Sequence, residues 1–146
     1  MKQVFKANES LRRLLCALLV AIMVIGMIPL SAPKAAAALK AGDMIYLKPS
    51  NQWGQSSPRY AAYFFGNGEK WVSMTKLENG YYQVKVPTDK KYPKVIFCRM
   101  NPSASTNNWD NKWNQTGDLT IPDDGKTLFT IPDSAWDGST TTWSKK

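Results

Sequence analysis

The sequence predicts an all-β protein, a small immunoglobulin-like antiparallel β-sandwich, and three observations carry that expectation. About seven short segments of alternating or continuous apolar character recur at spacings near ten residues between Asp43 and Ile131. Turn residues separate them: Pro49-Ser50-Asn51, Asn67-Gly68, Glu78-Asn79-Gly80 and Asp123-Asp124-Gly125. No stretch in that region has the 3.6-residue periodicity of an amphipathic helix.

The first strand is Asp43–Lys48, with Met44 and Tyr46 on one face and Ile45 and Leu47 on the other. A polar loop, Asn51–Pro58, follows. Its one apolar residue, Trp53, has two futures: it folds back as a lid on the core, or it projects as a contact. Arg59–Phe65 and Lys70–Leu77 read as two aromatic strands joined by the Asn-Gly turn. Tyr81–Val86 alternates cleanly, with Tyr82, Val84 and Val86 inward. Val95–Cys98 is apolar on both faces, as expected of a central strand covered on each side. Residues Asn101–Asn114 are polar except for Trp109 and Trp113, and their Asn, Ser and Pro content argues for a loop. Thr116–Ile121 and Thr127–Ile131 are expected to be two further strands. Trp136 and Trp143 lie in a Gly/Ser/Thr-rich tail.

The hairpin Arg59–Met74 is the stretch that asks a functional question. Period-2 alternation puts Arg59, Ala61, Tyr63 and Phe65 on one face and Tyr60, Ala62 and Phe64 on the other, so both faces carry rings. One apolar face suffices for a core. The second must be covered by another layer or left for a ligand. Tyr82, Phe97 and Phe129 are the best core candidates, and Val84, Val86 and Val95 join them, which leaves Tyr63 and Trp71 free for a ligand.

Ahead of the sandwich, basic residues Lys2, Lys6, Arg12 and Arg13 precede an apolar run, Leu14–Leu30, and a small-residue stretch, Ser31–Ala38. That order is expected of a secretory signal peptide over residues 1–38, removed from a mature domain of residues 39–146 that is secreted, either extracellular or held at the cell surface. A retained membrane helix is the competing expectation, because the run is nearly long enough to span a bilayer. Residues 39–146 carry 14 Lys or Arg against 10 Asp or Glu, interspersed without a run, so neither nucleic acid nor a membrane is an expected partner of the mature domain. Cys98 is its only cysteine, which rules out an internal disulfide and leaves the core to hold the fold. Grouped with Ile96 and Met100, Cys98 reads as a buried small hydrophobe. The chain has no histidine, which removes the usual general base and the commonest zinc ligand. No cofactor is expected, and Asp123, Asp124 and Asp133 suit turns as well as they suit calcium.

Six tryptophans and six tyrosines fall within residues 39–146, more than such a core requires. Exposed rings beside amides suit a sugar, because the axial C–H face of a pyranose packs on a ring while its hydroxyls hydrogen-bond to polar side chains. Single-stranded nucleic acid uses similar platforms, with more Lys and Arg beside them.

Three pieces in order carry a family likeness. They are AAYFFGNG at Ala61–Gly68, WVSMTK at Trp71–Lys76, and VIFCRM at Val95–Met100 followed by an Asn-rich loop and QTGDL at Gln115–Leu119. From about Met44 to Thr120 the chain resembles the family 26 carbohydrate-binding modules, β-sandwich starch-binding modules commonly attached to secreted bacterial amylases, and more distantly the family 25 modules. The resemblance implies α-glucan binding by stacking on two tyrosines of one strand and a tryptophan of the next. By position Tyr63 matches one tyrosine and Trp71 the tryptophan, whereas the other tyrosine position falls on Ala61. Either a shifted Tyr60 or the loop residue Trp53 is then expected to fill the gap, or affinity is expected to be weaker, and the longer Asn-rich loop brings Trp109 and Trp113 as further rings to rebuild the site. Asn111 and Gln115 are the amides the resemblance carries over.

The expectation is therefore a non-catalytic, monomeric module for starch, glycogen or maltooligosaccharide, acting alone or beside a secreted amylase. A protein-interaction or adhesion accessory domain is the competing expectation. A glycosidase would need two facing carboxyl groups, for which Asp110 and Asp118 are the candidates nearest the aromatic loop.

Overall fold

In the computed structural model, which describes residues 38–136 and 142–146, ten short strands and one helical turn form a small all-β sandwich. Of the segment expected to be a signal peptide, residues 1–38, all but the last lie outside the described residues, as do 137–141. The strands are β1 (Met44–Lys48), β2 (Arg59–Phe65), β3 (Glu69–Ser73), β4 (Thr75–Lys76), β5 (Tyr82–Lys85), β6 (Lys94–Met100), β7 (Lys112–Gln115), β8 (Leu119–Thr120), β9 (Leu128–Thr130) and β10 (Trp143–Ser144). The helical turn, α1, is Asn51–Gly54. One sheet runs β10-β9-β1-β5-β4. The other runs β3-β2-β6-β7, with β8 pairing the start of β6. All pairs are antiparallel except β1 with β9, which is parallel because the chain returns to β1 from a distant strand rather than through a hairpin.

Alternation places one apolar row of each sheet in the space between them. Ile45 and Leu47 of β1, Val84 of β5 and Phe129 of β9 meet Tyr60, Ala62 and Phe64 of β2 and Val95 and Phe97 of β6. The expected core residues Val84, Val86, Val95, Phe97 and Phe129 all lie here, with Tyr82 packed partly buried against them. Each fully buried aliphatic or aromatic side chain of this kind contributes about 1.5–3 kcal/mol. Trp143 of β10 closes the layer on Phe97 and Phe129, at ring separations of 5.9 and 5.5 Å.

One expected strand is divided and another shortened. Lys70–Leu77 becomes β3 and β4, which belong to different sheets. Met74, buried between them with its N–H bonded to the Tyr60 carbonyl, is where the chain crosses over. Thr116–Ile121 shrinks to β8 because Thr116 spends both of its groups on Phe97: its N–H bonds the Phe97 carbonyl, and its Oγ1 accepts from the Phe97 N–H at 3.1 Å. The β2–β3 hairpin is tight for a local reason. Its three-residue loop starts at Gly66, with φ +109°, where an added Cβ would lie 2.5 Å from Pro93 Cγ, so only glycine fits.

Burial also sets the acid–base behaviour of two core groups. Cys98 is fully buried with Ala61, Ile96 and Met100, and burial pushes its thiol up to about 12. Burial likewise raises the Tyr60 phenol, with Tyr82 adding to the shift and Arg99 opposing it. The native state thus keeps protons that the unfolded chain releases from about pH 9, so stability should fall as pH rises above that value. Chemical denaturation at stepped alkaline pH checks this. At neutral pH Cys98 should resist iodoacetamide in native protein and react once denaturant is added, as read by mass mapping of its peptide.

Candidate functional site

The outward face of β2 carries the second row of rings. Ala61, Tyr63 and Phe65 point away from the core and lie with Ile96, Cys98 and Met100 of β6 and with Trp71 of β3. Register brings Tyr63 opposite Trp71 on one side and Ile96 on the other. The Tyr63 ring is 4.9 Å from Trp71 and 5.6 Å from Phe65. Trp109, from the loop between β6 and β7, stands edge-on over both, 4.6 Å from Tyr63 and 4.7 Å from Trp71, each at 68°. Tyr63 is only 7 % exposed, whereas Trp109 is 43 % exposed. Tyr63 is therefore the floor of the group, Trp109 is its exposed ring, and Trp71 and Phe65 are half-buried beside it. Burial, reinforced by the Glu69 carboxylate beside it, pushes the Tyr63 phenol up.

What holds Trp109 there is Arg59. Its guanidinium reaches from β2 into the loop and donates from Nε to the Asn101 and Ala104 carbonyls, from Nη1 to Asn107 Oδ1 and from Nη2 to the Thr106 carbonyl. Asn107 in turn donates to Ser73 Oγ at 3.0 Å, which ties the loop to β3. A planar fork with several donors can collect diverging carbonyls that a lysine could not. Sequence reading passed over Arg59 as a site residue, although its place on the Tyr63 face was the available signal. Lys112 was missed as well. Its ammonium lies 5.6 Å from the Trp109 ring centre and donates to Gln115 Oε1 at 2.5 Å, so Lys112 and Gln115 form a polar flank to the ring.

The remaining expected site residues lie elsewhere. Trp53 is fully buried: Ser50 caps α1 by accepting from the Trp53 N–H, the indole N–H bonds the Trp136 carbonyl at 2.7 Å, and the ring stacks on Tyr60. Tyr60 is 2 % exposed, and its hydroxyl donates to the Trp53 carbonyl. Both belong to the inner core, so neither fills the gap at Ala61. Ala61 lies at the bottom of the outer face beside Cys98. Asn111 is spent on the loop itself, donating to the Thr106 carbonyl.

Trp113 separates from Trp109. Lys112 pairs with Met100 and Asn114 with Arg99, so Trp113 is the extra residue of a bulge in β7. It sits over the Arg99 guanidinium at 4.6 Å, on the inward side of the second sheet, and Trp136 flanks the same guanidinium at 5.9 Å. A groove of about 1030 Å³ between Leu39, Val86, Tyr92, Ile121 and Trp143 contains none of the expected site residues. Among the described residues no group of three or more His, Cys, Asp or Glu side chains is placed to hold a metal. Comparison with family models, with curated proteins and with solved structures finds no match to this chain.

Replacing Arg59 with alanine should release the loop. The expected cost is about 1–3 kcal/mol, because several carbonyls lose a charged donor together. The exciton signal of the Trp71–Trp109 pair in circular dichroism should collapse, with Arg59→Lys recovering only part of it. An unchanged exciton signal in Arg59→Ala would show that the ring is held by packing alone.

Proposed function

We propose that the chain is a secreted, non-catalytic carbohydrate-binding module that takes starch, glycogen or maltooligosaccharide on the outer face of β2 and β3. The observation that carries this reading is the exposed Trp109 ring, held over Trp71 and Tyr63 and flanked by Lys112 and Gln115. A rigid indole with hydrogen-bonding groups at its side suits a pyranose, whose C–H face is apolar and whose rim is hydroxylated. The resemblance of this segment to the family 26 modules points the same way, with Trp71 in common and Trp109 supplying the ring that Ala61 lacks. An open aromatic surface of this kind binds weakly, in the micromolar to millimolar range, or roughly −8 to −4 kcal/mol.

A glycosidase reading has less support. Asp110 and Asp118 are both exposed, and Asp118 approaches Lys94 at 3.9 Å rather than facing a second carboxyl group. The adhesion reading draws on the same exposed tryptophans, since indoles are also enriched at protein contacts.

In amylopectin affinity electrophoresis the chain should be retarded, and Trp109→Ala and Trp71→Ala should each lose about tenfold or more in affinity with far-ultraviolet circular dichroism preserved. Unretarded migration of the unmodified chain would sink the proposal. Capture of a partner protein that survives excess maltoheptaose would favour the adhesion reading.

A further inference from the structure

Arg99 is an odd residue for its position. It continues the inward row of β6 after Val95 and Phe97 and is 7 % exposed. Among the described residues no carboxylate pairs with it. Its donors go instead to two segments, the α1 turn and β7: Nε to the Trp53 carbonyl at 2.8 Å, Nη2 to the Gln55 carbonyl, and Nη1 to Asn114 Oδ1 at 3.2 Å. The guanidinium plane is thereby locked, and two indoles are mounted on it.

Both indoles are also placed by the backbone. The β7 bulge turns Trp113 onto the Arg99 side. Trp136 is tied down through its own carbonyl, which accepts from the Trp53 indole, and through the Ala135 carbonyl, which accepts from Ser50 Oγ at 2.8 Å. Yet Trp113 stays 41 % exposed and Trp136 48 % exposed. With Trp109 they are the exposed large hydrophobic residues of the described chain, and every other large ring is at least partly covered. Rings ordered this firmly and left half in water are placed for contact rather than for filling a core.

We propose that Trp113 and Trp136, mounted on Arg99, form a second α-glucan contact site on the opposite side of β7 from Trp71 and Trp109. This rests on the α-glucan reading of the first site. The ligand chemistry is the same, two fixed indoles with the Asn114 amide beside them, whose Nδ2 remains a donor while Oδ1 accepts from Arg99. β7 is the edge strand of its sheet, so the two sites look out on either side of a free edge. They suit two chains of a branched or granular glucan, or one chain that wraps the edge, and on a polymer the second contact raises retention without a tighter first site.

The test follows the indole N–H signals of all six tryptophans of the full chain by heteronuclear NMR during titration with maltoheptaose, assigned through single Trp→Phe variants. Saturable shifts at Trp113 and Trp136, retained in Trp71→Ala, are expected, with buried Trp53 as the internal control. The double variant Trp113→Ala/Trp136→Ala should lose about tenfold or more of its retention in amylopectin while the Trp71 and Trp109 shifts keep their midpoint. Shifts confined to Trp71 and Trp109 overturn the second site and leave the first reading standing. Shifts confined to Trp113 and Trp136 support the second site and overturn the first. No shift at millimolar maltoheptaose overturns both.

Discussion

Tyr60, Ala62 and Phe64 point from β2 into the space between the sheets while Ala61, Tyr63 and Phe65 point out of it, so this strand has to be covered twice. The opposite sheet covers the first face. Among the described residues no third layer of secondary structure lies over the second, which is closed instead by side chains: Trp71 from the neighbouring strand and Trp109 from a loop. A cover made of rings is thin, and its outermost member remains partly in water. The candidate site is thus a by-product of how β2 is buried. Tyr63 supports it from below and the tryptophans present it.

The two arginines of the described chain perform parallel tasks. Arg59 gathers the carbonyls of the β6–β7 loop and sets Trp109 on the outer face. Arg99 gathers the carbonyls around α1 and sets Trp113 and Trp136 at the inner side. Loop carbonyls that no strand satisfies need donors from somewhere, and a guanidinium supplies several in one plane. Its flat cationic face also accepts an indole, an interaction of about 0.5–2 kcal/mol depending on exposure. One kind of residue therefore both satisfies irregular backbone and orients the rings beside it. That explains how a loop as polar as Asn101–Asn111 holds a tryptophan in a fixed place.

Legibility followed interaction range. The alternation in Tyr81–Val86 and Lys94–Met100 located strands and their inward residues, since the period of two is a property of the strand itself. Period alone could not show that Lys70–Leu77 crosses between sheets at Met74, because alternation continues unbroken through the crossing. Nor could it assign Trp53. A lone ring in a polar loop looks the same whether it projects or folds back, and Ser50, Tyr60 and Trp136, which draw it inward, are distant in sequence or unremarkable as letters.

By itself the sequence determined the all-β class, the buried Cys98, the core valines and phenylalanines, and the two aromatic strands that carry Tyr63 and Trp71, all of which rest on local periodicity and turn chemistry; the pairing of Tyr63 with Trp71 came from the three-residue loop that begins at Gly66. Only the tertiary structure decided which surplus rings are exposed. Trp53 and Tyr60 went to the core, the loop gathered by Arg59 set Trp109 on the outer face, and one bulged residue in β7 turned Trp113 to the inner side. A single extra residue in a strand reverses the direction of a side chain, and no pattern of residue types records where that extra residue falls.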